Sequence, residues 1–248
     1  MGKRARTLDL GPAMDGADLV VEAVTERLDV KAAVLREISS TNQAVPIASN
    51  TSTYQPSELQ ALITVPERLL VAHFFNPADV VPLVEVVPGP LTSPGLVQDM
   101  VTLMQALGKR PVVLSQECPG FVANRLQAAL LREAFALVER GIVGVEELDA
   151  IVRDSLGPRW AVAGPFRTAD LGGLDVFEML CTQLFPDLDG RRTAPDGLRG
   201  LVAEGRLGAK VNAGLFTYGP GEAEEMTSRI SAAFVATEAS SLPEAPRA

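Results

Sequence analysis

The residues whose types point most directly to chemistry are His73 and Glu85. His73 is the single histidine of the chain, and it follows the apolar run 69–72, which predicts a buried strand. Glu85 interrupts a second apolar run, 82–87, where packing needs no carboxylate. A buried carboxylate requires a cation or a hydrogen-bond donor, and an imidazole supplies either. We therefore expect a His73–Glu85 pair at the end of a buried strand, where α/β enzymes place their reacting groups. The alternative is a hydrogen-bonded core histidine beside a strand-end charge.

Length and composition predict a globular protein with one large core or two smaller ones. The chain has 248 residues, of which 47% are hydrophobic and 21% charged. Its net charge of −9 disfavours nucleic acid or a membrane surface as partner and favours a small-molecule substrate. Cys118 and Cys181 form no disulfide framework or metal spacing, so we expect a reducing, cytoplasmic setting without metal. No signal peptide or membrane-spanning run is apparent.

The elements that must position His73 and Glu85 are strands alternating with helices. This alternation predicts a mostly parallel α/β sheet. Apolar residues at helical spacing indicate a helix near residues 30–38, and Ser93-Pro94 and Gly108 mark the start and end of another. The predicted strands are 19–24, 45–48, 69–74, 83–87 and 112–114.

After Pro119-Gly120 the pattern becomes helical. Apolar spacing predicts a helix that ends before Gly141, another that ends at Gly157, and further helices around 171–184 and 195–204. We expect three parts: an α/β domain carrying the histidine and glutamate over residues 1–116, a helical domain for dimerisation or substrate binding over 117–236, and a disordered tail over 237–248.

Four motifs stand in a fixed order along the chain. They are Ser49-Asn50-Thr51-Ser52-Thr53, His73-Phe74-Phe75-Asn76-Pro77, Glu85, and Pro119-Gly120-Phe121-Val122-Ala123-Asn124-Arg125. In this order and spacing the chain resembles the 3-hydroxyacyl-CoA dehydrogenase family, from about Thr7 to Tyr218. The resemblance implies an NAD-dependent oxidoreductase. It also implies an α/β fold, with a truncated Rossmann-like, mostly parallel sheet followed by a mainly α-helical C-terminal domain.

The resemblance assigns roles to the matched residues. His73 would be the general base for the 3-hydroxyl group of the substrate, and Glu85 would orient the imidazole and stabilise its cation. Ser52 and Asn124 would hydrogen-bond the reacting oxygen and the thioester region, and Asn76 would help to position substrate and nicotinamide. Both Ser52 and Asn124 also have a structural alternative, as caps of the helices that follow them.

Other matched positions concern the cofactor and the substrate acid. Glu26, Lys31 and Lys210 correspond to family positions that touch the nicotinamide half of NAD, although each could equally be a solvated charge. Arg159, in Gly157-Pro158-Arg159-Trp160-Ala161, is more similar to relatives that act on small hydroxy acids, such as gulonate or carnitine dehydrogenases. There it would meet a substrate carboxylate, unless it is a surface cation at a helix end.

One family motif is missing from this chain. Family members begin with a strand, a Gly-x-Gly-x-x-Gly loop and a helix that together hold the pyrophosphate. The first glycines here, Gly2, Gly11 and Gly16, lack that spacing. We therefore expect weak or absent NAD binding by this chain alone, unless an upstream segment or a second chain supplies the loop. Strand 19–24 would become a sheet edge that pairs with a second copy or is covered by the N-terminal segment.

Three functions follow from these residues. The first is NAD-dependent oxidation of a 3-hydroxyacyl thioester or a small 3-hydroxy acid. The second is a cofactor-independent acid–base reaction of a 3-oxo compound, such as hydrolysis, dehydration or carbon–carbon cleavage. The third is a non-catalytic relative that binds acyl ligands.

Overall fold

Apolar, β-branched runs form a five-stranded sheet in the computed structural model, which describes residues 9–240. The strands lie side by side in the order of the sequence, and all neighbours are parallel except β3 and β4. The five predicted strands are all present. They are β1 (Val20–Glu22), β2 (Ile47–Ser49), β3 (Leu69–Phe74), β4 (Leu83–Pro88) and β5 (Arg110–Val113).

The predicted alternation of strands and helices fails between β3 and β4. Only residues 75–82 join these strands, and so short a segment cannot make the crossover that a parallel pair requires. The pair is therefore antiparallel, with His73 directly opposite Glu85. This register brings the two predicted site residues to the same place on the sheet.

Helices cover both faces of the sheet. The helices that precede residue 120 are α1 (Leu10–Met14), α2 (Leu28–Thr41), α3 (Pro56–Gln60) and α4 (Pro94–Ala106), with a 3₁₀ turn over Pro66–Arg68. Leu69 and Val71 of β3 pack in one cluster with α2, whereas Leu70 and Ala72 pack in the other with α4. Because its side chains are buried on both faces, β3 is an almost continuous apolar run.

The ends of α4 follow the predicted signals. The Ser93 hydroxyl accepts a hydrogen bond from Leu96 N, at 3.3 Å, as an N-cap residue does. Gly108 has a φ of 74°, a conformation that favours glycine just after a helix. Both predictions are confirmed.

β1 lies at the edge of the sheet, as predicted. Val21 on this strand is exposed. Pairing of β1 with a second copy stays a prediction, and the proposed cover by the N-terminal segment falls largely on residues 1–8, which lie outside the described residues.

The chain divides into two compact units, Met1–Leu126 and Gln127–Ala248, and the division falls within α5 (Ala123–Glu139). The predicted domain boundary at residue 117 stays a prediction. The second unit is helical. Its further helices are α6 (Val145–Ile151), α7 (Gly157–Val162), α8 (Gly164–Gly172), α9 (Leu174–Leu184), α10 (Asp196–Ala203) and α11 (Glu222–Ser240), with a 3₁₀ turn over Ala209–Val211.

Two boundaries in the second unit differ from the sequence-based prediction. The helix predicted to end at Gly157 continues through a π-helical turn, Val152–Leu156, into α7. Gly157 has a helical φ of −55°, so it does not take the left-handed conformation of a helix end. The disordered tail was predicted from Thr237, but α11 extends to Ser240; residues 241–248 lie outside the described part of the chain.

Candidate active site

His73 and Glu85 meet across the antiparallel β3–β4 pair. His73 Nδ1 lies 2.9 Å from Glu85 Oε2, and both side chains are buried. A one-residue slip in register would turn one of the two side chains to the opposite face of the sheet. The contact that the sequence predicts is therefore made by the pairing of two neighbouring strands.

The second oxygen of Glu85 is held by the start of α5. The backbone N–H groups of Val122 and Ala123 each donate to Glu85 Oε1, at 3.0 Å. Free N–H groups at a helix start favour a negative charge. Burial acts to raise the pKa of Glu85, but the hydrogen bonds from His73, Ala123 and Val122 outweigh it and hold the pKa below its usual value. Glu85 is thus an ionised, fully hydrogen-bonded carboxylate at neutral pH.

A tight turn before α5 aims these N–H groups at Glu85. Gly120 and Phe121 both have positive φ values, 72° and 51°. This conformation is uncommon for a residue with a side chain, and Phe121 pairs it with complete burial. The Phe121 ring lies 5.4 Å from the His73 ring, and the Phe75 ring lies 4.5 Å from it. The imidazole is therefore walled by two aromatic rings.

Ser52 lies at the other nitrogen of the imidazole. Its Oγ is 3.2 Å from His73 Nε2. An ionised carboxylate can only accept a hydrogen bond, so Nδ1 of His73 carries the proton in its contact with Glu85. In a neutral imidazole the unprotonated nitrogen is then Nε2. Nε2 can then accept a proton from the Ser52 hydroxyl or from a hydroxyl that replaces it.

Asn124 and Asn76 take different places around this cluster. Asn124 Nδ2 donates to the backbone oxygen of Ser52, at 3.3 Å. Asn124 is the second residue of α5, and α3 is capped by Gln55, so neither Asn124 nor Ser52 is the helix cap that was their structural alternative. Asn76 is exposed in the connection between β3 and β4. Contact of these residues with substrate stays a prediction.

The predicted cofactor and substrate residues are spread over both units. Arg159 lies on α7 and Lys210 in the 3₁₀ turn Ala209–Val211, and both are exposed in the second unit. Glu26 and Lys31 lie in the first unit, beside the carboxyl end of β1. Lys31 is fully buried and pairs with both Glu22 and Glu26.

Sequence reasoning missed Glu22 and Asn50. Glu22 is a buried carboxylate inside an apolar strand, so the argument that identified Glu85 applies to it equally. Asn50 Oδ1 accepts from Phe74 N, at 2.9 Å, and thereby ties the loop after β2 to the end of β3. No pattern in the sequence distinguishes this asparagine from a loop residue.

A nicotinamide dinucleotide needs hydrogen-bond donors for its pyrophosphate. Glu26 is partly exposed beside the Ser52 loop, and its oxygens face that loop and Lys31. The described strands offer no glycine-rich turn into a helix that would let backbone amides approach a pyrophosphate. The described residues thus offer no such cradle for the phosphates, and weak binding of NAD stays a prediction.

Within residues 9–240, no helix is long and apolar enough to cross a membrane. The same residues contain no cluster of histidine, cysteine or carboxylate side chains suited to a metal ion. Cys118 and Cys181 are both free thiols.

Two family models match nearly the whole chain. The 3-hydroxyacyl-CoA dehydrogenase NAD binding domain matches residues 2–118, and the C-terminal domain of the same family matches residues 120–218. Among curated proteins, a 5-formyl-3-hydroxy-2-methylpyridine 4-carboxylate 5-dehydrogenase of Mesorhizobium japonicum is 39% identical over 86% of this chain and 70% of its own length. An L-carnitine dehydrogenase of Bacillus cereus is 44% identical over 67% of this chain, which spans only 51% of that relative.

A solved structure is similar over almost all of the fold. The crystal structure of a 5-formyl-3-hydroxy-2-methylpyridine 4-carboxylic acid 5-dehydrogenase, an NAD⁺-dependent dismutase, superimposes with a TM-score of 0.89 at 37% identity. The match covers 94% of this chain and 75% of that one. The α/β sheet and the helical second unit therefore have the architecture of this group of dehydrogenases.

Proposed function

Since this chain belongs to the 3-hydroxyacyl-CoA dehydrogenase family, we propose that it interconverts a 3-hydroxy and a 3-oxo group, with His73 as general acid–base and Glu85 as its orienting carboxylate. The observation that carries the proposal is the arrangement of Glu85 and Ser52 at opposite nitrogens of one buried imidazole. Such an arrangement is what proton transfer to and from a substrate oxygen requires.

The proposed proton path uses only this chain's residues. A substrate hydroxyl bound beside Ser52 gives its proton to His73 Nε2 as the carbon is oxidised. Glu85 stays ionised and stabilises the resulting imidazolium through Nδ1, and the two N–H groups at the start of α5 keep Glu85 in place. In the reverse direction the imidazolium returns the proton to the oxygen. NAD, when bound, supplies the acceptor for the hydride that leaves the same carbon.

The substrate class that we propose is a 3-hydroxyacyl thioester or a small 3-hydroxy acid. Relatives named for a CoA ester, for L-carnitine and for a pyridine carboxylate support this range. Arg159 is exposed on α7, and we propose that its guanidinium binds the carboxylate of a small acid. Comparing kcat/KM for 3-hydroxybutyryl-CoA and for L-carnitine, in wild type and Arg159→Ala, decides between the two: a loss confined to the acid supports the assignment.

The test of the acid–base role is the His73→Ala variant. We expect kcat/KM to fall by roughly 10²–10⁴-fold, because a positioned proton-transfer group contributes about that much. Glu85→Gln should lose part of the same activity, whereas Glu37→Gln, an exposed glutamate on α2, provides the matched control. Full turnover by His73→Ala would exclude the role. A wild type without any turnover would instead favour a non-catalytic, acyl-binding protein.

A cofactor-independent acid–base reaction of a 3-oxo compound is the second candidate. The lack of a Gly-x-Gly-x-x-Gly segment in this chain favours it, because the pyrophosphate would have few donors. We expect NAD to bind this chain weakly. Calorimetric titration with NAD, NADH and a 3-oxoacyl thioester separates the two candidates: micromolar nucleotide binding supports the dehydrogenase, and thioester binding without nucleotide supports the second reaction.

We also propose that two copies of the chain associate through the second unit. Large apolar side chains of α7, α8 and α9 are exposed, among them Val162, Phe166, Leu171 and Leu174. Exposed apolar surface is a feature of protein–protein interfaces, and an identical copy presents the same side chains. Sedimentation of wild type against Phe166→Asp and Val21→Lys distinguishes this surface from the β1 edge. A cytoplasmic location stays a prediction.

A further inference from the structure

Three charged residues form a continuous line from the sheet interior to Ser52. Glu22 ends β1 and Lys31 lies in α2, and both are buried, Lys31 with no exposed surface. Lys31 Nζ lies 3.1 Å from Glu22 Oε1 and 3.2 Å from Glu26 Oε2. Glu26 stands at the outer end of the line, where its carboxylate is partly exposed. The proposed proton transfer uses none of these groups.

The inner end of the line is fixed on all sides. Glu22 Oε2 accepts from the Ser49 hydroxyl at 2.5 Å, and Oε1 accepts from Val24 N at 2.8 Å. Lys31 also donates to the backbone oxygen of Val24, at 3.4 Å. Every hydrogen-bonding group of the ion pair is occupied, so Lys31 has neither surface nor a free donor with which to contact a nucleotide.

The outer end of the line holds the loop that carries Ser52. Glu26 Oε1 accepts from the backbone N–H groups of Ser52 and Thr53, at 3.0 and 2.9 Å, and from the hydroxyls of Thr51 and Thr53, at 2.6 and 2.8 Å. The other oxygen of Glu26 faces Lys31. One carboxylate therefore gathers four donors of a single turn, and the lysine sets where that carboxylate lies.

Ser52 is consequently held at three points. Its backbone N–H donates to Glu26, its backbone oxygen accepts from Asn124, and its hydroxyl lies 3.2 Å from His73 Nε2. The peptide groups on both sides of the residue are thus anchored to different elements. A shift of the turn would carry Oγ out of hydrogen-bond range of the imidazole.

We propose that Glu22, Lys31 and Glu26 are positioning residues that set the Ser52 hydroxyl against His73. The proposal rests on the proposed function for its consequence in turnover, but its geometry stands without it. It also accounts for the buried charges, because an apolar pair in their place would not locate Glu26, whereas buried ion pairs often add little net stability.

The single histidine makes the proposal directly measurable, because the chain has one imidazole and therefore a single histidine Hε1 resonance. We expect Glu26→Gln to move this resonance in the same direction as Ser52→Ala. The double variant Glu26→Gln with Ser52→Ala should shift it no further than Ser52→Ala alone. Glu37→Gln, on the exposed face of α2, should leave it in place. A Glu26→Gln resonance equal to that of wild type, with Ser52→Ala displaced, would overturn the proposal, as would a Ser52→Ala resonance that does not move.

A second variant separates positioning from stability. The double substitution Glu22→Gln with Lys31→Met removes the buried charges together, so we expect the chain to fold with a free energy of unfolding close to that of wild type. The His73 resonance should still shift, because Glu26 has lost the cation that locates it. A folded double variant with an unshifted resonance contradicts the proposal.

Turnover provides the third readout. Misplacement of Ser52 should lower kcat by roughly ten- to a hundredfold in Glu26→Gln while the KM for NAD stays nearly constant. A raised KM for NAD with unchanged kcat would instead make Glu26 a cofactor contact. If wild type shows no turnover at all, the proposed function fails, and the resonance measurements still decide the positioning role.

Discussion

In the first unit the apolar side chains are buried on both faces of a sheet, whereas in the second unit they lie on the surfaces of helices. Among the described residues, Ala136 is the one buried apolar residue of the second unit, while β3 alone contributes Leu69, Leu70, Val71 and Ala72 to the core of the first. In both units the apolar residues recur at the spacing expected of strands or helices. The difference teaches that an amphipathic helix fixes its own secondary structure but needs a second surface to bury its apolar face.

The charged residues of the two units differ in the same way. In the first unit Glu22, Lys31 and Glu85 are buried and hydrogen-bonded around the candidate site. In the second unit ion pairs such as Arg153–Asp154 lie on the surface, where solvent weakens them. The first unit therefore holds the preorganised charges that catalysis needs, and we place the proposed chemistry there.

The largest effect should come from a truncation in the first core. Leu70→Ala should lower the free energy of unfolding by about 2–5 kcal/mol, because Leu70 has no exposed surface. Leu171→Ala, at a leucine with 78% exposure, should change it by less than about 0.5 kcal/mol in the monomer. Urea unfolding followed by circular dichroism, at a dilution that keeps the chain monomeric, measures both. Equal losses would contradict the distinction between the units.

The next effect concerns association. Phe166 has 90% exposure on α8, so Phe166→Asp should leave the monomer folded and weaken self-association by about thirtyfold or more, as loss of an aromatic anchor does. Val21→Lys should weaken it little if the second unit is the interface. Sedimentation equilibrium across a range of concentrations gives the dissociation constants. Loss of the dimer in Val21→Lys alone would move the interface to the β1 edge.

A smaller effect should follow from removal of the α4 cap. Ser93→Ala should lower the free energy of unfolding by about 1 kcal/mol, because Leu96 N loses its acceptor. Ser40→Ala is the matched control, since the Ser40 hydroxyl donates to Glu37 O within α2 and alanine favours the helix. Helices α6 to α10 have no such side-chain cap, so the substitution has no equivalent at the starts of those five helices. A neutral Ser93→Ala would show that packing alone sets the start of α4.

The smallest effect is a dependence on pH. Burial raises the pKa of Glu26, but hydrogen bonds from Thr51, Thr53 and Lys31 outweigh it and lower the pKa from its usual value of 4.5 to about 2. A carboxyl group with a lowered pKa stabilises the fold fully above 4.5 and loses that contribution as the pH falls towards about 2. The stability difference between wild type and Glu26→Gln should therefore be constant near neutral pH and shrink below 4.5.

Urea unfolding of both proteins at stepped pH values measures this dependence. Glu37→Gln, at an exposed side chain on α2, is the control variant. The expected pH dependence would be contradicted if the stability difference between wild type and Glu26→Gln stayed unchanged down to pH 3. It would also be contradicted if that difference grew as the pH fell.

The sequence alone was sufficient for the five strands, the ends of α4 and the His73–Glu85 pair. Each rests on a local signal: an apolar run, a serine–proline start with a glycine end, or a carboxylate where packing needs none. Glu22 is also a carboxylate inside an apolar strand, so the same pattern identifies it as a candidate site residue. The predicted helix end at Gly157 was wrong. The left-handed helix end that favours glycine needs a positive φ, and the φ of Gly157 is −55°.

Tertiary structure decided what depends on pairs of residues far apart in the chain. The antiparallel register sets His73 opposite Glu85, and the turn at Gly120 and Phe121 aims two N–H groups at that carboxylate. Whether Lys31 is a solvated charge or a buried link between two carboxylates follows only from the packing of α2 beside β1. Residue type and spacing thus determined which groups are capable of chemistry, and the close approach of distant segments decided which of them act together, because hydrogen bonds and burial depend on distances in space.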